Sequence, residues 1–113
     1  MDRDDTIVAI ASAPGGAARG VVRLSGPRAL DLAGRLLDGP SCDRGVRSAL
    51  LQLPGALQIP SLVYTMPSPR SYTGEDVVEI HLVGSPPILR YLIDTLLDLG
   101  ARAAGPGEFT LRA

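Results

Sequence analysis

The chain contains no lysine. All eleven of its basic residues are arginine, set against twelve aspartates and glutamates, for a formal net charge of −1. So even a balance argues against a broad electrostatic footprint for nucleic acid, although a neutral domain can still position an RNA-binding neighbour. Cysteine occurs once, at Cys42. A lone thiol forms no internal disulfide and has no companions for a zinc site, so it reads as a free thiol in a reducing compartment. The opening Met1-Asp2-Arg3-Asp4-Asp5 is acidic and lacks the apolar core of a signal peptide. No apolar run reaches the roughly 18 residues of a membrane span. A cytoplasmic chain with no membrane association is expected.

What is present is globular in composition: 45% hydrophobic and 20% charged over 113 residues. That length suits a single domain, 1–113, which buries about two-thirds of its unfolded surface. Two β-branched runs come first, Thr6 to Ala11 and Gly20 to Ser25, with a Gly-rich loop at 12–19. Pro27 then opens a helix behind Ser25 or Gly26, with Leu30, Ala33, Leu36 and Leu37 on one face, and Gly39-Pro40 ends it. Val46 to Leu53 reads as a strand or a short helix, Pro54-Gly55 as a turn, and Ile59 to Met66 as a strand. Asp76 to Leu82 is another strand. A long apolar helix follows, capped by Ser85, entered through Pro86 and Pro87 and closed by Gly100. Residues 101–104 return as a short strand. The order β-β-α-β-β-β-α-β is α+β: a mixed β-sheet with two main helices packed on it.

Few residues carry evident chemistry. The loop Pro14-Gly15-Gly16-Ala17-Ala18-Arg19-Gly20 is not a phosphate loop, because it has no Lys and runs into a strand instead of a helix. His81, the one histidine, has no cysteine or serine–aspartate motif beside it and reads as a polar residue near a strand end. Arg23 and Glu79 stand out more. Alternation sets Arg23 on the face opposite Val22 and Leu24, and groups Glu79 with Val77 and His81. A charge in mid-strand is uncommon unless it is paired, solvated or bound to something. Two readings fit: a salt bridge on a wet sheet face, or a polar ligand site.

Several stretches, taken in order, resemble one family. They are Asp5 to Ala11, Gly20-Val21-Val22-Arg23-Leu24-Ser25-Gly26, Ser71-Tyr72-Thr73-Gly74-Glu75-Asp76-Val77-Val78-Glu79-Ile80-His81, and Pro106-Gly107-Glu108-Phe109-Thr110-Leu111-Arg112-Ala113. Together they resemble the N-terminal domain of the bacterial tRNA-modification GTPases (MnmE/TrmE). The resemblance implies a fold like the folate-binding domain of glycine-cleavage aminomethyltransferases, binding of a tetrahydrofolate, typically 5-formyltetrahydrofolate, and homodimer formation. It places the family's folate-contacting Arg and Glu on Arg23 and Glu79. It implies a parent GTP hydrolase that modifies the wobble uridine of tRNA with a flavin-dependent partner. GTP, Mg and K then belong to a GTP-binding domain, and both that domain and the helical domain are absent from this chain. No catalytic residue and no metal ligand is expected here.

The sequence departs from the family pattern in three places. Gly16 replaces an Arg of the glycine loop, and Val83 and Ser85 replace the His and a Gly of a His-Gly-Gly-Pro run. These changes favour a second reading, a dimerisation or interaction module that has lost folate binding. A third, a small aminomethyltransferase-like enzyme, lacks an acid–base pair beyond Glu79 and Asp76. The resemblance also sets the end of the chain at the start of a helical domain, just short of a folate-contacting Lys. Weaker folate binding than in the parent, and a last turn frayed or docked on a neighbour, are the expectations.

Overall fold

The computed structural model describes residues 5–11, 18–37 and 44–113. The elements run β1 (Ile7–Ile10), β2 (Arg19–Ser25), α1 (Ala29–Leu36), β3 (Gly45–Leu53), β4 (Leu57–Met66), β5 (Val77–Val83), α2 (Pro86–Asp98), β6 (Arg102–Ala103) and α3 (Glu108–Arg112). They form one sheet in the order β3-β4-β5-β2-β1-β6. Every neighbouring pair is antiparallel except β1 with β6, so the sheet is mixed and the α+β expectation holds. No helix among the described residues is long and apolar enough to cross a membrane.

Period-two alternation gives the sheet two unlike faces. Val22, Leu24, Val78, Ile80, Leu82 and Val63 point to one side and are buried there with Leu32 and Leu36 of α1 and Leu89, Leu92 and Leu96 of α2. Gly20 lets α2 approach: a Cβ there would stand 2.8 Å from the Leu89 methyls. The opposite face carries Arg19, Val21 and Arg23 on β2, Glu79 and His81 on β5, and Leu62 and Tyr64 on β4. Among the described residues no helix layer covers it, and only α3 and the 67–76 loop reach it, at one end.

Local chemistry moves some boundaries. Helix α1 starts at Ala29, not at Pro27, because Gly26 (φ 140°) and Pro27 are spent on a turn. The Thr6 hydroxyl accepts from the Arg28 N–H at 2.8 Å, replacing a cap from Ser25 or Gly26. The helix face that packs inward is Ala29, Leu32, Ala33 and Leu36, with Leu30 only half-buried. Its end at Gly39-Pro40, together with Cys42 and Gly16, lies outside the described residues. Residues 45–53 are strand, not helix, because each has a partner on β4. Ser85 sits at the N-cap of α2 without a side-chain cap bond. Gly100 closes that helix at φ 115°, as its position implied.

The last turn departs from expectation. It is not frayed: α3 is tied to Asp5 and Glu75 of its own chain, and Arg112 is fully buried. Helix α2 also spends its apolar surface at home. Leu89, Leu92, Ile93 and Leu96 are covered by the chain's own core, and Arg90, Tyr91, Asp94 and Asp98 face outward.

Candidate functional site

Arg23 and Glu79 are direct cross-strand neighbours on the open face. The Arg23 Nε and Nη2 both donate to Glu79 Oε2, at 2.7 and 2.6 Å. The side chains are 28% and 18% exposed, so the pair is neither dry nor freely solvated. Of the two readings posed by the sequence, the salt bridge is present, between these two residues. His81, two residues along β5, places Nε2 3.2 Å from the other oxygen, Oε1. Burial alone raises the Glu79 carboxyl, but the hydrogen bonds with His81 and Arg23 outweigh it and hold it below its ordinary value. Glu79 is thus a charged acceptor, anchored on both oxygens but with lone pairs to spare.

Aromatic rings extend the row. The Tyr64 ring lies against His81, centroids 4.3 Å apart and tilted by 38°. At the other end the Arg23 guanidinium approaches Tyr72 at 5.9 Å and Phe109 at 5.6 Å, both within cation–π range. Phe109 belongs to α3, so the site depends on how α3 is held. An ionic cluster holds it. Arg112 Nη2 donates to Asp5 Oδ1 at 2.6 Å, and Nη1 to Glu75 Oε1 at 3.1 Å and to the Asp5 carbonyl at 3.0 Å. Arg102 bridges Asp5 and Glu108 from the other side. The Arg102 guanidinium first, then Arg112, brings the Asp5 carboxyl down to about 2. Arg102, then the Gly105 N–H, does the same for Glu108. Burial works against the Arg112 charge, yet its bonds to Asp5 and Glu75 leave its pKa raised. Ser25 ties the 67–76 loop in, with Thr73 Oγ1 at 2.6 Å and Glu75 Oε1 at 3.1 Å.

Beyond His81 the open face deepens into a groove of about 700 Å³. The pairing of β4 with β5 runs to Leu62↔His81 and stops. Two positions further, the register would set Pro60 against Val83. A proline, having no N–H to donate, belongs where a strand borders a partner on one side only. There the two strands part. Leu50, Pro60, Leu62 and Val83 give the groove apolar walls, and His81 and Arg19 also line it. Among the described residues, no group of His, Cys, Asp and Glu is arranged to hold a metal ion.

Sequence reasoning singled out Arg23 and Glu79 but not that they pair. It gave His81 no role in the site and passed over Tyr64, Tyr72, Phe109 and Arg112. For Tyr64 and His81 the signal was available: both share the strand parity of the open face. For Phe109 and Arg112 no periodic pattern marks the contact.

Residues 6–113 match the family model described as GTP-binding protein TrmE N-terminus. The chain is 47% identical over 111 residues to a protein named tRNA modification GTPase MnmE in Laribacter hongkongensis, covering 96% of this chain and 25% of that one. It is 45% identical over 119 residues to the protein of that name in Thermus thermophilus, covering 100% and 28%. The match in Rhodopirellula baltica is 43% identical over 120 residues, covering 99% and 25%. The chain therefore spans about a quarter of the length of these curated relatives.

Proposed function

The chain belongs to the TrmE N-terminal family, and from that premise we propose that its open sheet face binds a tetrahydrofolate, with 5-formyltetrahydrofolate the form expected. The observation that carries this reading is the Arg23–Glu79–His81 row. A pterin presents its 2-amino group and N3–H along one edge, and a carboxylate accepts two such parallel donors. Glu79 is that acceptor. The Arg23 guanidinium, steadied by Glu79, serves the formyl oxygen or another acceptor of the ligand. The rings of Tyr72 and Phe109 supply a face on which a planar heterocycle rests. The groove volume lies within the range usual for small-molecule sites, about 300–1,000 Å³.

In this reading the chain acts within a tRNA-modification GTPase, as the names of its relatives support, and that protein is proposed to be a cytoplasmic homodimer. Nucleotide, Mg and K are handled by other parts of that protein, and a flavin-dependent partner and tRNA meet it there. The open face and the exposed Val46, Leu50 and Val83 are the apolar surface available to a second copy. The test of the folate reading is calorimetric. Glu79→Ala removes charge-assisted hydrogen bonds of about 1.5–3 kcal/mol in all. Affinity for 5-formyltetrahydrofolate falls about 10- to 100-fold if the reading is right; unchanged affinity overturns it.

A second reading keeps the dimer and drops the folate. It is favoured by Val83 and Ser85, and by the Arg23–Glu79 bridge, which already satisfies both charges internally. Wild-type protein that dimerises but gives no folate binding heat selects it.

A further inference from the structure

We infer that Arg19 is the anion anchor of the groove: it holds the glutamate carboxylates of a folate whose pterin lies at Glu79. This assignment rests on the folate reading and adds the direction in which the ligand lies.

Three observations carry it. First, Arg19 lines the groove, is exposed, and has no ion pair or hydrogen bond to its side chain among the described residues. Arg23, four residues along the same strand, is by contrast pinned by Glu79. One guanidinium is committed and the other is available. Second, parity and register fix the layout. Residues 19, 21 and 23 share one face of β2, and Arg19 stands opposite Val83 just as Arg23 stands opposite Glu79. Four residues of strand separate the two ends, about 13 Å at the usual rise. Third, the surface between them changes character in the order an extended folate does. A carboxylate with its histidine comes first, then Val21 and Leu62 level with that histidine, then Arg19 abreast of Val83, with Pro60 and Leu50 as the apolar wall on the other side of Val83. A folate has a donor-rich pterin, an apolar p-aminobenzoyl ring, and an anionic tail. Laid along β2 and β5, each part meets its complement. The reverse orientation would set the tail carboxylates against Glu79 and leave Arg19 facing a pterin edge rich in donors.

Two ligands that differ only in the tail test this. Wild-type chain and Arg19→Ala are titrated calorimetrically with 5-formyltetrahydrofolate and with 5-formyl-6-methyltetrahydropterin, which lacks the p-aminobenzoylglutamate. Arg19→Ala is expected to weaken the folate about 10-fold or more and to leave the tailless pterin unchanged. It should also flatten the salt dependence of folate binding, and Arg19→Lys should restore most of the affinity. Equal loss for both ligands, or no loss for either, overturns the anchor while the folate reading stands. If wild-type protein binds neither ligand, the folate reading falls and the anchor falls with it.

Discussion

At the residue scale the chain's most constrained side chain is Arg112. It is completely buried, and Asp5, Glu75 and Glu108 surround it with side chains that are 27%, 14% and 11% exposed. Truncating one partner of a buried ionic cluster leaves the others desolvated and unmatched, which costs about 3–5 kcal/mol. Because the three carboxylates keep some access to water, Arg112→Ala is expected at the low end, about 3 kcal/mol, read from urea unfolding. A loss below about 1 kcal/mol would mean the cluster is incidental. Arg112 also shows where sequence reading stops. It sits in a Thr-Leu-Arg-Ala tail with no periodicity, and apart from Glu108 its partners lie 37 and 107 positions away. Arg23 and Glu79 were legible because each interrupts an apolar strand. That each is the other's partner depends on the β2–β5 register, and two separate strand patterns do not encode a register.

At the scale of elements, strands and helices followed from pattern because the local signals agree with the fold. Alternation marks β2 and β5, tandem prolines open α2, and Gly100 closes it. The start of α1 was displaced because the Arg28 N–H is capped by Thr6, the residue just before β1, which no local rule anticipates. The docking of α3 on the sheet was not legible at all, since five residues of helix have no stability of their own. Ionic contacts hold it, so docking depends on pH. Asp5 falls from 3.8 and Glu108 from 4.5, each to about 2 in the folded chain. Both shifts are downward, so the released state binds more protons than the docked one at acid pH. The stabilisation is therefore complete above about pH 5 and is lost as pH falls toward 2. The protection factors of the Leu111 and Ala113 amides should fall across that window, measured against β2 and β5 amides as an internal reference. Uniform protection down to pH 2 would contradict the ionic latch. Because α3 carries Phe109, its release should also weaken folate binding.

At the scale of the molecule, helices cover one sheet face, and among the described residues no helix layer covers the other. The apolar circumference of α2 gives no motive for association, since its leucines are consumed by the chain's own core. The open face does, with Leu50, Tyr72 and Val83 exposed beside the Arg23–Glu79 row. If the proposed homodimer forms across this face, folate and association are linked, and saturating 5-formyltetrahydrofolate should lower the dimer dissociation constant in sedimentation equilibrium. A dissociation constant indifferent to ligand would separate the two surfaces. The measurement that bears most directly on the face itself is a proton–nitrogen correlation spectrum of the chain titrated with 5-formyltetrahydrofolate. Shifts should cluster at Arg19, Arg23, Glu79, His81 and Phe109 while amides on the outer side of α1 and α2 stay still. An unchanged spectrum, or shifts confined to the helix side, would show that the open face is not a folate site.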